Sequence, residues 1–203
     1  YGNEAGELYS QKGTFVTIDQ ISPNIQAAVV STEDKRFYKH TGVDPIGIGR
    51  AAVGFVLNGG NIVGGGSTLT QQLAKNAYLT LDQTLIRKAK ELFLAFEIES
   101  KYTKDEILEM YLNNAYFGSG VWGVEDASQK YFGKSASEVS LSEAAVLAGI
   151  LKSPSYYNPI DNYEASTDRR NTVLQLLADN AFIDQATADA AMAEDINVVG
   201  TYY

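Results

Sequence analysis

The sequence predicts a mainly α-helical fold, and three observations carry that prediction. Apolar residues recur at helical spacing along most of the 203 residues. Three stretches match a capping box and each precedes an apolar periodic run: Thr68-Leu-Thr-Gln71, Thr103-Lys-Asp-Glu106 and Ser140-Leu-Ser-Glu143. Strand signals are weak. Only residues 12–19 alternate, at Phe15 and Thr17, and they read as a short strand or an extended arm.

Taken in order, the first helix starts at Ser22-Pro23, a cap followed by proline at the first helical position, and continues through Ile25, Ala28, Val29 and Thr32. Asp44-Pro45 opens a second helix in the same way. It carries Ile46, Ile48, Val53, Phe55, Val56 and Leu57 before dissolving into the glycine-rich stretch 59–66. A third helix follows the cap at Thr68. The longest spans about 83–101, with Leu85, Ala89, Leu92, Phe93 and Phe96 expected on its inner side. Further helices are expected near 104–115, 122–131, 141–151, 165–179 and 184–193. Pro154 and Pro159 bias their preceding residues away from helix, so 152–163 reads as an ordered loop.

A chain of this length forms one domain, or one domain with a small appended lobe. It contains no Cys, which removes disulfides, thiolate metal sites and a catalytic thiol. The net charge of −9 is unevenly spread: residues 31–110 carry 10 Lys/Arg against 10 Asp/Glu, while 1–30 sum to −2 and 111–203 to −7. With no basic stripe, nucleic acid is not an expected partner. Positive charge placed beside particular carboxylates in the neutral middle points instead to a local anion site. No run approaches the ~20 apolar residues of a membrane span, and no signal-peptide pattern is present. The chain reads as an excised domain whose anchor lies beyond one of its ends.

The most informative stretch is GSTLTQQLAKN at 66–76, led by Gly64, Gly65 and Gly66. Hydroxyls, amides and one ammonium crowd into a helix start, where free N–H groups favour anions. Gln71 and Lys75 share one face, as do Gln72 and Asn76. The bland reading is a capped, solvated helix behind a flexible leader. Upstream, Glu33 falls on the same helix face as Ile25 and Val29. Desolvation there favours its protonated form, which suits a general acid or base; the alternative is a helix-end carboxylate paired with Lys35 or Arg36. Asp34 points about 100° away, so the two form no dyad. Downstream, Arg87, Lys88 and Glu91 stand at ion-pairing spacing and read either as ordinary helix pairs or as a cationic cluster flanking a second carboxylate. His40, the single histidine, with Phe37 three residues earlier, reads as a buttress for the turn at Gly42. Arg169 and Arg170 read as a solvated pair opening a helix, bonded to Glu164 or Asp168, and Trp122 as a core residue or a platform for stacking on a sugar.

Together these pieces resemble one family, the peptidoglycan glycosyltransferases. EDKRFYKHTG (33–42), GSTLTQQLAKN (66–76), RKAKE (87–91), KDEILEMYLN (104–113) and RRNTVL (169–174) match its five motifs in order and spacing, and YFGK (131–134) and SPSYYNP (153–159) agree as well. The resemblance runs from about residue 20 to residue 195. It implies a lysozyme-like helical large lobe with a smaller, membrane-associated jaw at about 44–66, within a single domain spanning 1–203. It implies polymerisation of lipid II into glycan strands, with inversion at the anomeric carbon and release of undecaprenyl pyrophosphate. Glu33 matches the family's base and Glu91 its second essential carboxylate. Substrate binding falls to Asp34, Phe37, His40, Ser67, Thr68, Gln71, Gln72, Lys75, Asn76, Arg87 and Lys88. No organic cofactor is implied. A divalent cation, Mg2+ or Mn2+, could assist the leaving group, but no motif specifies one.

The expected partners are lipid II, the growing lipid-linked chain and, through the jaw, the membrane surface. The expected location is the extracytoplasmic face of the bacterial plasma membrane, with an anchoring segment outside this chain. Such domains occur alone or joined to a transpeptidase, whose S-x-x-K and K-T-G motifs are absent here. Two other readings stand beside this one. A lysozyme-like hydrolase or lytic transglycosylase shares two carboxylates but needs no pyrophosphate clamp. A catalytically silent membrane-docking domain has no physical need for buried carboxylates.

Overall fold

The computed structural model describes residues 13–42, 67–78 and 85–199, with backbone alone for 76–78 and 85–87. The helix expected from Asp44-Pro45, the jaw at 44–66 and the glycines Gly64 to Gly66 lie outside those residues. In chain order the helices are α1 (Pro23–Glu33), α2 (Leu69–Tyr78), α3 (Leu85–Lys101), α4 (Lys104–Asn114), α5 (Val124–Phe132), α6 (Leu141–Ile150), α7 (Pro154–Tyr157), α8 (Tyr163–Asp179) and α9 (Gln185–Met192). Among the described residues no strand forms, and the one β-type contact is an isolated bridge between Tyr116 and Trp122. The chain divides into two compact units. One takes in Arg36–Tyr111, the other Tyr9–Lys35 and Leu112–Tyr203.

The second unit is built around α6. From Ala144 to Ile150 every residue of this helix is buried, and α1, α5, α7, α8 and α9 all pack against it. Its start is fixed by a reciprocal cap, in which Glu143 N–H donates to Ser140 Oγ at 3.2 Å and Ser140 N–H to Glu143 Oε1 at 2.8 Å. Helix α1 buries Ile25, Ala28, Val29 and Val30. Ser22 caps it by accepting from Asn24 N–H at 3.1 Å. Residues 14–17 run as an extended arm. Asn113 takes the place of a neighbouring strand there: Val16 N–H donates to its Oδ1 at 2.9 Å, and its Nδ2 donates to the Val16 carbonyl at 2.8 Å. Tyr131 is buried and its hydroxyl donates to the Phe117 carbonyl at 2.6 Å.

Two expectations for this unit are corrected. Residues 152–163 contain a helical turn, α7, because Pro154 occupies the first helical position, where its missing N–H costs nothing. Helix α8 starts at Tyr163, with Asn162 as its cap, so Arg169 and Arg170 fall inside it. Arg170 is no solvated residue: only 1% of it is exposed. Its guanidinium donates to Ser142 Oγ at 3.1 Å, the Glu194 carbonyl at 2.7 Å, the Met192 carbonyl at 2.9 Å and Asn171 Oδ1 at 3.1 Å. The helix is thereby fastened to α6 and to the chain leaving α9. Burial holds the Arg170 guanidinium below the ordinary arginine pKa. Arg169 instead lies 5.9 Å from the Tyr157 ring centroid.

In the first unit α2 packs along α3. The inward face of α3 differs from the expected one. Phe93 is 65% exposed and Phe96 51%, and Ala89 is exposed too, while Glu91, Ala95 and Ile98 are buried. The apolar stripe therefore faces out, and a stripe carrying glutamates faces α2. A helix tolerates that orientation only where the buried carboxylates find partners.

Candidate active site

The site begins with the cap of α2. Gln71 N–H donates to Thr68 Oγ1 at 3.0 Å, and Thr68 N–H donates to Gln71 Oε1 at 2.9 Å. This reciprocal bond spends the amide oxygen of Gln71 on the helix start and turns its Nε2 towards α3. There it donates to Glu91 Oε1 at 3.3 Å. Lys88, one turn before Glu91, places its ammonium 2.8 Å from the same oxygen and 3.1 Å from Ser67 Oγ.

The result is an asymmetric pair. The Lys88 side chain is 48% exposed and that of Glu91 10%. Glu91 is held below the surface by an amide and an ammonium. Lys88 has three N–H donors, of which two are directed at Glu91 and Ser67, leaving one for a ligand. A positive group anchored at its base and open at its tip suits an anion with several oxygens. Lys75, a half-buried residue, stands in the last turn of α2.

A second cluster ties residues 37–42 to α2. Thr68 Oγ1, besides accepting from Gln71, donates to the Gly42 carbonyl at 2.6 Å. Gly42 N–H donates to His40 Nδ1 at 3.0 Å, so that nitrogen carries a lone pair and the ring proton resides on Nε2. Gly42 sits at φ +108, and a Cβ there would meet the Ala95 carbonyl at 2.8 Å. Only glycine fits both the backbone and the space. His40 thus buttresses the turn, as its spacing from Phe37 suggests, and the two rings meet edge-on at 5.9 Å. Phe37 is fully buried, with the Lys104 ammonium 4.7 Å from its ring centroid, so it offers support and no surface for a ligand. Gln72 accepts from the Tyr111 hydroxyl at 3.1 Å. The side chains of Asn76 and Arg87 lie outside the described residues.

Glu33 and Asp34 belong to the second unit. Glu33 is the last residue of α1, half-buried, with its Oε1 shielded from solvent. It follows the buried Ile25 and Val29 on one helix face, as its spacing predicts. Asp34 is the buried C-cap, and its N–H donates to the Val30 carbonyl at 3.0 Å. Among the described residues no group of three or more His, Asp or Glu is arranged to hold a metal ion.

Sequence reasoning missed Thr70, Glu99 and Lys104. Thr70 and Lys104 each donate to Glu99 Oε1, at 2.8 Å and 2.7 Å. The available signal was the i, i+8 spacing of Glu91 and Glu99, which puts both carboxylates on one face of α3.

A family model described as Transglycosylase matches residues 1–178. The chain is 58% identical over 193 residues to penicillin-binding protein 2a of Streptococcus pneumoniae, covering 95% of this chain and 26% of that protein. It is 48% identical over 196 residues to penicillin-binding protein 1A of Escherichia coli, covering 95% of this chain and 23% of that protein. Among solved structures it is similar to penicillin-binding protein 1A from Haemophilus influenzae, at 42% identity and a TM-score of 0.47, covering 51% of this chain and 15% of that one. The chain spans about a quarter of the length of these curated relatives.

Proposed function

This chain belongs to the transglycosylase family, and from that premise we propose that it is a peptidoglycan glycosyltransferase that polymerises lipid II and releases undecaprenyl pyrophosphate. The observation that carries the reading is the Lys88–Glu91–Ser67 arrangement, an ammonium held by a buried carboxylate and still open to a ligand. A hydrolase acting on finished glycan has no pyrophosphate to stabilise and no use for such a cation.

The reaction needs one proton removed and one leaving group stabilised. The 4-hydroxyl oxygen of the incoming lipid II forms the new bond to C1 of the lipid-linked chain, and its proton goes to the Glu33 carboxylate. The bond from C1 to the pyrophosphate oxygen breaks, its electron pair leaves with the pyrophosphate, and the anomeric centre inverts from α to β. Lys88, with Lys75 and Arg87, stabilises the charge gathering on that leaving group. Preorganised cations do this best where water is excluded. Ser67, Gln72 and Asn76 hold the donor in line, and Thr68 and Gln71, both buried, fix the helix start that presents them. Glu91 fixes the Lys88 ammonium. His40 and Phe37 support the turn at Gly42, to which Thr68 is bonded.

A divalent ion, Mg2+ or Mn2+, could accompany the pyrophosphate. The described carboxylates supply no donor set for it: no three are arranged to hold a metal ion, and Glu91 is engaged by Lys88 and Gln71. Among the described residues no helix is long and apolar enough to cross a membrane. Anchoring is assigned to a segment of the whole protein, on the extracytoplasmic face of the plasma membrane, with segment 44–66 resting on the lipid. The whole protein is read as carrying a transpeptidase domain as well, a reading supported by relatives about four times as long as this chain.

Incubation of the purified chain with lipid II tests the proposal. Glycan polymer together with released undecaprenyl pyrophosphate is the expected result. Cleavage of finished glycan, with lipid II left untouched, would overturn it.

A further inference from the structure

We propose that Glu99 is a positioning residue, holding α2 and residues 37–42 in the arrangement that the transferase site requires. The inference rests on the reading above and deepens it. Consecutive residues of α2 each reach a different glutamate of α3: Gln71 donates to Glu91 at 3.3 Å and Thr70 to Glu99 at 2.8 Å. Two attachment points, two turns apart on α3, fix both the rotation and the axial register of α2. The Glu99 contact is the shorter of the two. Thr70 is fully buried and the Glu99 side chain is 9% exposed.

The same carboxylate oxygen holds Lys104 at 2.7 Å, and Lys104 in turn lies 3.4 Å from His40 Nδ1 and over the Phe37 ring. Glu99 also approaches His40 Nδ1 to 3.8 Å. Because Gly42 N–H occupies that nitrogen's lone pair, the approach is no ion pair, and Lys104 supplies the positive charge. One carboxylate therefore joins the GSTLTQQ helix, through Thr70, to the EDKRFYKHTG segment, through Lys104. Ser67, Thr68 and Gln71 hang from the first arm and His40 and Gly42 from the second. Glu99 itself meets no substrate. It acts by keeping the Thr68–Gly42 bond and the Gln71–Glu91 bond in register.

The test uses Glu99→Gln, Glu99→Asp and Thr70→Val in the whole chain. Glu99→Gln keeps the shape and removes the charge that holds Lys104. It is expected to melt cooperatively, to lose about tenfold in kcat/KM on lipid II, and to speed backbone amide exchange at Gly42 and Gln71 about tenfold, while exchange in α6 stays unchanged. Thr70→Val cuts one arm, so it should speed exchange at Gln71 more than at Gly42. Glu99→Asp restores the charge and should recover part of both losses. Wild-type exchange at Gly42 and Gln71 in both Glu99→Gln and Thr70→Val would overturn the proposal, as would equal acceleration in α6. If the wild-type chain does not polymerise lipid II, the functional reading fails, and amide exchange still decides the role of Glu99.

Discussion

Helices α2 and α6 are both ten residues long and both begin with a reciprocal side-chain cap, yet α6 buries almost only apolar surface, whereas α2 buries polar side chains beside Leu69, Leu73 and Ala74. Helix α6 is apolar on nearly every side and sits at the centre of its unit, where burial of alkyl surface is the driving force. Helix α2 buries Thr68 at its cap and then Thr70 and Gln71, and each is hydrogen-bonded. Burying polar groups is unfavourable unless every one is partnered. The partners here fix side-chain directions as well as position. One unit thus supplies a rigid body, and the other holds polar groups in a fixed array open to a ligand at Lys88.

Variants at the proposed base and cations are expected to lose catalysis with the fold kept, and variants at the buried polar fastenings of either unit to lose stability. The largest effect is expected from Glu33→Gln, which should retain the wild-type melting temperature and lose about 10²- to 10⁴-fold in polymerisation rate, the range for a general base. Glycan synthesis near the wild-type rate by this variant would remove Glu33 from that role. Next is Arg170→Ala, which strands the Ser142 hydroxyl and two carbonyls and should cost about 3 kcal/mol or more in denaturant unfolding. A smaller loss, about 1 kcal/mol, is expected for Thr68→Val, which removes the α2 cap and the bond to Gly42. Its turnover should fall further than that loss explains, because Gln71 is released as well.

The smallest effect is a pH dependence. Burial pushes the Tyr131 hydroxyl up from 10.0 to about 12. Between those values the unfolded chain has lost this proton and the folded chain keeps it, so stability falls as pH rises through that window. Tyr131→Phe should flatten that part of the alkaline unfolding curve, and an unchanged curve would refute the assignment.

Local chemistry was legible in the sequence, and long-range chemistry was not. The caps at Ser22, Thr68, Thr103 and Ser140 all form, because a cap involves residues only two or three apart. Glu33 could be placed on its helix face for the same reason. The apolar stripe of α3 misled, because Phe93 and Phe96 are larger and more hydrophobic than Ala95, while the case for the opposite face rests on partners supplied by α2 and Lys104. Thr68 meets Gly42 across 26 positions, Thr70 meets Glu99 across 29, and Lys104 meets His40 across 64. No periodicity encodes such pairs. Arg170 was misread on the same account, since its acceptors lie 22 to 28 residues away.

Whether the polar unit holds the pyrophosphate is read most directly from the affinity of a pyrophosphate-mimicking inhibitor such as moenomycin for the wild-type chain and for Lys88→Ala and Lys75→Ala. Both variants are expected to fold normally and to bind about tenfold or more weakly, the loss expected for one charge-assisted hydrogen bond. Unchanged affinity in both variants would contradict that role for the polar unit.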